Sequence, residues 1–316
     1  MKKNTIGIVG GNGFIGQNLV NYFVNLNYDV YNVSRNINKS KFQHPNIFCI
    51  EVNAEDTVIL YDSLKECDTI IWLISNLIPG SINQSLIDDF DININILIRF
   101  LEKAKYSKHL KRFIFLSSGG TIYGNILNNE PIGEDAATKP ISSYGLSKLV
   151  TEKYIEFLTL SSQFQSFILR PSNVYGKFQN FVKPQGIIGY AFKAIINDTP
   201  INLYNGGLVT RDFIHVKDLS DAIYCCMKTT IKPSKTSIYN VGTQCGITIN
   251  EILEKISIIT KKQIITLPKS SRIFDCNYNV LQIHKINRDL NWEPKIKLED
   301  GLSLVWNWIK YEEDKK

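Results

Sequence analysis

Thr5–Gly16 reads TIGIVGGNGFIG, a short apolar run (Ile6, Ile8, Val9) that breaks into four glycines, Gly10, Gly11, Gly13 and Gly16, within seven residues. Apolar residues then resume at helical spacing through Phe14, Ile15, Leu19, Val20 and Phe23. A strand, a tight turn and a helix N-terminus in that order make a phosphate site. The glycines let the backbone approach a pyrophosphate closely, and the free N–H groups and dipole of the helix favour its negative charge. Gly10, Gly13, Phe14, Ile15 and Gly16 are therefore the expected dinucleotide cradle.

Outward from that turn, apolar runs alternate with helical patterns. Strands are expected at Ile6–Val9, Val30–Val33, Asn46–Val52, Thr69–Ile74, Arg112–Ser117 and Ser166–Leu169, with a long helix over Ile87–Lys105 and another over Tyr144–Leu160. This alternation predicts an α/β protein of Rossmann type: a doubly wound parallel sheet, covered on both faces, with ligands at the C-terminal ends of its strands. Past Arg170 the loops lengthen and proline and glycine recur. Residues 1–170 read as the NAD(P)-binding domain, with segments near 211–228 and 238–242 returning to it. Residues 171–316 read as a smaller, mixed substrate domain. Leu302, Val305, Trp306 and Ile309 keep helical spacing in a closing helix over Leu298–Lys310.

Composition narrows the functional class. The chain has 316 residues, 44% of them hydrophobic, enough for a sizeable core. The net charge of +6 is spread along the chain rather than gathered in a tract, which argues against a nucleic-acid partner and suits an anionic, phosphate-bearing substrate. Six cysteines (Cys49, Cys67, Cys225, Cys226, Cys245, Cys276) show neither CxxC nor metal-type spacing, so no metal site is expected. With no signal peptide and no apolar run of about 20 residues, the chain reads as a cytoplasmic protein with reduced thiols and no membrane span.

The end of the second strand bears on cofactor choice, because an acidic residue there accepts the ribose hydroxyls. Here Val33 is followed by Ser34 and Arg35. A carboxylate would repel a 2′-phosphate, whereas serine and arginine can bind one, so NAD and NADP both stay open. Asn53 and Ala54, just after the third strand, sit where the adenine should lie, and Asn93 in the long helix can reach the cofactor from the far side.

The chemistry is concentrated between Ser117 and Lys148. The fifth strand ends FIFLSSGGTIYG, which places Ser117, Ser118 and Thr121 at the C-terminal edge of the sheet. PISSYGLSK follows, with Tyr144 and Lys148 one helical turn apart on one face. A phenol ordinarily titrates near pH ~10. An ammonium within ~4–6 Å and a positively charged nicotinamide both favour the phenolate. Tyr144 can then take a proton from a sugar hydroxyl as hydride leaves the same carbon, with a serine nearby to hold the substrate oxygen. The spacing alone decides nothing, because Tyr61/Lys65, Tyr224/Lys228 and Tyr311/Lys315 repeat it. Tyr144 differs by context: it opens a helix after a proline–serine turn, just beyond a serine-bearing strand end.

With these residues in hand, the chain resembles the extended short-chain dehydrogenases/reductases, the NAD-dependent epimerase/dehydratase group. Gly10, Gly13 and Gly16 match its GxxGxxG, and Tyr144 and Lys148 its YxxxK. LRPSNVYG (Leu169–Gly176), RDFIHVKD (Arg211–Asp218), YNVG (Tyr239–Gly242) and LNWEPKIKLEDGL (Leu290–Leu302) match later signatures. The resemblance implies a nucleoside-diphosphate sugar as substrate. By similarity Asn173 contacts the diphosphate–sugar region, Asn202 and Tyr204 flank the base, and Arg211 and Arg272 clamp the phosphates, with Asp275 near the ribose or Arg272. A diphosphate does call for paired guanidinium donors. Other readings of the same residues are an ion pair of Arg211 with Asp212 or Asp218, a surface bridge from Arg272 to Asp275, and His215 as a packing residue on a half-buried strand. The resemblance also implies a homodimer built through Ile87–Lys105 and Tyr144–Leu160.

Three reactions share this machinery: epimerisation, ketoreduction and dehydration. Family dehydratases carry an Asp–Glu pair just before the VYG-like turn, where this chain has Gly119, Gly120 and Thr121. The SSGGTIYG form resembles the nucleotide-sugar 4-epimerases, which is the expected activity, with NADPH-dependent 4-ketoreduction as the alternative that Ser34–Arg35 keeps open. A non-catalytic dinucleotide-binding role would usually go with loss of the Tyr–Lys pair or of the arginines, both of which are present. Ser118 leads as the catalytic hydroxyl, with Ser117 or Thr121 as substitutes. The loops Asn76–Gln84 and Gly176–Gln185 are expected to set pocket size.

Overall fold

Each apolar run of the first half becomes a strand, and those inside the sheet are buried on both faces, whereas the edge strand near residue 48 is partly exposed. In chain order these are β1 (Thr5–Val9), β2 (Asp29–Ser34), β3 (Ile47–Glu51), β4 (Thr69–Trp72), β5 (Arg112–Leu116) and β6 (Gln165–Pro171). The computed structural model describes residues 4–75, 86–125, 129–180, 185–270 and 276–314. Helices α1 (Phe14–Asn25) and α2 (Thr57–Leu64) lie between the early strands. α3 (Leu86–Asp89) and α4 (Ile96–Ala104) precede β5, and α5 (Ser143–Thr159) precedes β6.

The remaining elements are β7 (Asn173–Tyr175), α6 (Gly186–Asn197), β8 (Ile201–Tyr204), β9 (Thr210–His215), α7 (Val216–Lys228), β10 (Thr236–Val241), β11 (Gly246–Thr248), α8 (Ile249–Thr260), β12 (Thr266–Lys269), β13 (Tyr278–Asn279), α9 (His284–Leu290) and α10 (Leu298–Glu313). The closing helix thus runs three residues past the Lys310 boundary expected from the sequence.

Seven strands form one sheet in the order β10-β6-β5-β4-β1-β2-β3, every pair parallel. The chain winds outward from β1 through β2 to β3, then returns to β4 on the other side of β1. That reversal opens a crevice beyond Val9 and Trp72, which are register partners at the strand ends. Alternate side chains divide the core into two layers. Ile8, Ile71, Ile114 and Leu169 pack under Leu19, Phe23, Ile223 and Cys226 of α1 and α7. Val9, Trp72, Phe113 and Ile168 pack under Leu64, Leu97, Phe100 and Ile155 of α2, α4 and α5.

Two features depart from the sequence reading. The expected single helix Ile87–Lys105 contains a wider π segment, Phe90–Asn95, between α3 and α4. Such segments displace the helical register by one residue and occur often at functional sites; this one carries Asn93. The segment near 211–228 is split in its allegiance. Its helix α7 packs on the large sheet, whereas β9 joins a smaller mixed sheet, parallel to β7 and β13 and antiparallel to β11. β8 pairs with β12. A third apolar cluster fills the space between these strands and α6, α8 and α10, with Phe192 stacked on Trp306 at 5.9 Å.

Candidate active site

The glycine turn sits at the crevice where the strand order reverses. Gly10 takes φ +94°, in the left-handed region that favours glycine, and its N–H donates to the Val33 carbonyl at 2.8 Å. A Cβ on Gly16 would lie 2.5 Å from the Gly10 carbonyl oxygen and the Gly11 Cα, so the helix can approach its own turn only without a side chain there. Gly13 caps α1 with no side-chain hydrogen bond, and the first turn of the helix holds no acidic residue. The opening N–H groups therefore keep their capacity for an anion, and the turn fits a dinucleotide pyrophosphate. Phe14 and Ile15 form the first helical positions.

At the adenosine end, the structure gives several expected ligands local duties. The Asn12 N–H donates to Ser34 Oγ at 3.0 Å, so that hydroxyl ties the glycine turn to the end of β2. Arg35 is exposed. Asn53 is also exposed; its carboxamide bonds the Glu55 N–H and carboxylate at 3.4 and 3.2 Å, a turn closed on itself after β3. Ala54 beside it is buried.

The candidate reacting groups lie at the C-terminal ends of β4 and β5. Tyr144 lies in the first turn of α5, whose N-cap Ser142 accepts the Gly145 N–H. A narrow cleft is lined by Tyr144, Lys148, Ser147, Thr151, Asn93, Ser75, Ile74 and Phe115. Lys148 is only 7% exposed; its Nζ donates to the Leu116 carbonyl at 2.9 Å and lies 4.8 Å from the Phe115 ring centroid and 5.7 Å from that of Tyr144. Burial pushes the Tyr144 phenol up to about 12, and a hydrogen bond from Ser118 offsets part of that rise. The protein groups alone thus leave the phenol protonated at neutral pH, so the phenolate depends on a further positive charge beside the ring, such as the nicotinamide that the sequence reading invokes with the lysine.

Of the three candidate hydroxyls, Ser118 is the one that favours the Tyr144 phenolate. Ser117 Oγ and Thr121 Oγ1 are buried without hydrogen-bond partners. Gly119 has no room for a side chain, since a Cβ would meet Leu281 at 2.5 Å and the Arg170 carbonyl at 2.9 Å. Gly120 meets nothing nearer than Ser118 Oγ at 4.0 Å.

On the other side of the crevice, Asn173 Nδ2 donates to the Asp212 carbonyl at 2.8 Å, and Arg211 Nη1 donates to the Thr210 carbonyl at 2.9 Å. Arg211 is the register partner of both Ile247 and Asn279, at the centre of the mixed sheet. Its suggested acidic neighbours are engaged elsewhere. Asp212 accepts from the N–H and hydroxyl of Thr243 at 2.9 and 2.6 Å, and Asp218 accepts from the Lys295 and Ile296 N–H groups at 3.1 and 3.0 Å. Asn202 and Tyr204 lie on β8, exposed and half-buried respectively. His215 packs edge-on against Tyr175 at 5.3 Å, accepts the Lys217 N–H on Nδ1, and is pushed down to about 4 by burial and by Lys217 and Lys177. Arg272, Asp275, residues 76–84 and residues 181–184 lie outside the described residues. The sequence reading missed Ser75, Ser147 and Thr151 as cleft-lining residues; Ser147 and Thr151 lie one and two turns from Tyr144 on α5, a periodicity that marks them.

The family model for the NAD dependent epimerase/dehydratase family matches residues 6–242. A dTDP-4-dehydro-6-deoxyglucose reductase of Escherichia coli is 29% identical over 98% of each chain. A putative UDP-glucose 4-epimerase of Methanocaldococcus jannaschii is 30% identical over 96% of this chain and 97% of the relative. The solved UDP-glucose 4-epimerase of Thermotoga maritima, in complex with UDP-glucose, superposes with a TM-score of 0.89 at 27% identity, covering 98% of this chain and 99% of that one. From its glycine turn to its tyrosine–lysine helix, the chain belongs to the NAD-dependent epimerase/dehydratase family.

Proposed function

We propose that this protein is a nucleotide-sugar 4-epimerase acting on a UDP-hexose through a transient 4-keto sugar. The observation that carries the reading is the buried Lys148 with its Nζ 5.7 Å from the Tyr144 ring, at the strand ends beside a glycine turn that fits a dinucleotide. In this reading residues 1–170 hold the cofactor and residues 171–316 the nucleotide sugar. Gly10, Gly13, Phe14, Ile15 and Gly16 take the pyrophosphate; Ser34, Arg35, Asn53 and Ala54 face the adenosine, and Asn93 the nicotinamide end. Bound there, the oxidised cofactor supplies a hydride acceptor and a positive charge beside the phenol.

Tyr144 receives the proton of the sugar 4-hydroxyl, and returns it when the ring has turned its other face. Ser118, whose hydroxyl favours the phenolate, holds the substrate oxygen and hands the proton on. Lys148 keeps an ammonium under the ring and so lowers the cost of the phenolate. Asn173, Asn202, Tyr204, Arg211, Arg272 and Asp275 hold the nucleotide diphosphate, with the guanidinium groups on the phosphates. The SSGGT turn offers hydroxyls and no carboxylate, so it lacks the second acid needed to expel water.

A second reading, NADPH-dependent 4-ketoreduction, is favoured by one observation: β2 ends at Ser34 and is followed by an exposed arginine, Arg35, rather than an acidic residue. The protein also has an apolar surface that suits a homodimer. Ile87, Leu146, Phe157 and Leu160 are 73%, 49%, 70% and 69% exposed along α3 and α5 and just past the end of α5, the segments through which the resemblance implies pairing.

Purified protein incubated with UDP-glucose, UDP-N-acetylglucosamine and their 4-epimers, without added cofactor, is expected to interconvert at least one pair. Activity confined to NADPH and a 4-keto sugar would overturn the epimerase reading in favour of the reductase. If Arg35 holds a 2′-phosphate, Arg35→Ala weakens NADPH roughly tenfold or more, the worth of one charge-assisted hydrogen bond, and leaves NAD unchanged. Equal loss of both by titration calorimetry would make Arg35 structural. Phe157→Glu is expected to convert a dimer into a monomer by light scattering; a wild-type monomer at micromolar concentration would refute the pairing.

A further inference from the structure

Tyr144, Lys148 and Glu152 follow one another at intervals of four on α5 and share a face. Lys148 is bonded to the end of β5. Glu152 is fully buried, and its carboxylate forks onto Arg170 at the end of β6: Nη2 to Oε2 at 2.6 Å and Nε to Oε1 at 3.1 Å. Arg170, 3% exposed, also donates from Nη1 to the Tyr123 hydroxyl at 2.9 Å. Tyr123 closes the turn that begins at Ser117, and its hydroxyl passes on to Asn240 Oδ1 of β10 at 2.7 Å. One guanidinium therefore holds both the helix that carries Tyr144 and the turn that carries Ser118.

We propose that Glu152 and Arg170 are positioning residues, which fix the roll of α5 against the Ser117–Tyr123 turn so that the Ser118 hydroxyl and the Tyr144 phenol meet. A buried ion pair is a weak source of stability, because desolvation cancels most of its attraction, and an apolar pair of equal volume often serves the fold as well. What such a replacement loses is the planar, two-point geometry of the fork. Two bonds four residues apart, Lys148 to β5 and Glu152 to β6, leave the helix no rotation about its axis. With the second removed, the phenol one turn beyond Lys148 is held at a single point.

The inference rests on the catalytic roles proposed above for Tyr144 and Ser118, and is measured relative to wild type on whichever substrate the wild type turns over. Absence of wild-type turnover would count against the proposed function; the variants count only against the positioning pair. Glu152→Gln and the apolar double variant Glu152→Leu/Arg170→Met are compared for kcat, KM and folded fraction by circular dichroism. Both are expected to keep the wild-type KM while kcat per folded molecule falls about 10- to 100-fold, the scale of a catalytic group misplaced by about 1 Å. A double variant with wild-type kcat overturns the proposal. So does a loss of activity in Glu152→Gln that merely tracks the loss of folded protein. Should Glu152→Gln fail to fold, the double variant, which leaves no charge unpaired, decides alone.

Discussion

The buried ammonium of Lys148 constrains everything around it. A cation at 7% exposure needs nearby dipoles to replace its water, and the Leu116 carbonyl 2.9 Å away supplies one. That carbonyl lies where β5 ends, at the C-terminal edge of the sheet, beside β4, which has already stopped at Trp72, the register partner of Phe115. α5 therefore begins at the C-terminal ends of the strands and runs back over the face of the sheet, which leaves Tyr144 in its first turn at the strand ends. The same edge brings Asn93 of the π segment, Ser75 after β4 and Phe115 of β5 into one cleft with Tyr144 and Lys148, and the glycine turn lies against Leu73 and Ile74.

How far the sequence reveals this can be judged from the four Tyr-x-x-x-Lys pairs. Lys228 lies 5.6 Å from the Tyr224 ring and Lys148 lies 5.7 Å from the Tyr144 ring. Helical spacing permits that relation in either helix. The difference is burial: Lys228 and Lys65 are exposed, and Lys65 pairs with Asp62 at 3.6 Å. The proline–serine turn before Tyr144 and the serines at the end of β5 carried that information, because they specify a helix that starts at a strand edge. The parallel sheet was equally legible, since strands buried on both faces read as unbroken apolar runs.

Other features left no local trace. Glu152 and Arg170 are eighteen positions apart and look like surface charges in periodicity alone; only the fold buries them together. Ser34 reads as a phosphate ligand, yet its hydroxyl accepts the Asn12 N–H, a partner twenty-two positions away. The π segment at Phe90–Asn95 keeps the apolar spacing of a helix closely enough to pass for one. In each case the decisive contact is between elements, and patterning reports only which face is buried.

The central claim is that the Tyr144 phenol, too basic for the task in the protein alone, is the group that takes and returns the substrate proton. The most direct measurement is Tyr144→Phe, which keeps the ring and removes the oxygen, assayed for nucleotide-sugar turnover and for binding by calorimetry. The account predicts wild-type affinity for the nucleotide sugar with turnover reduced by at least about 10²- to 10⁴-fold, the worth of a general base. Turnover at the wild-type rate would contradict it.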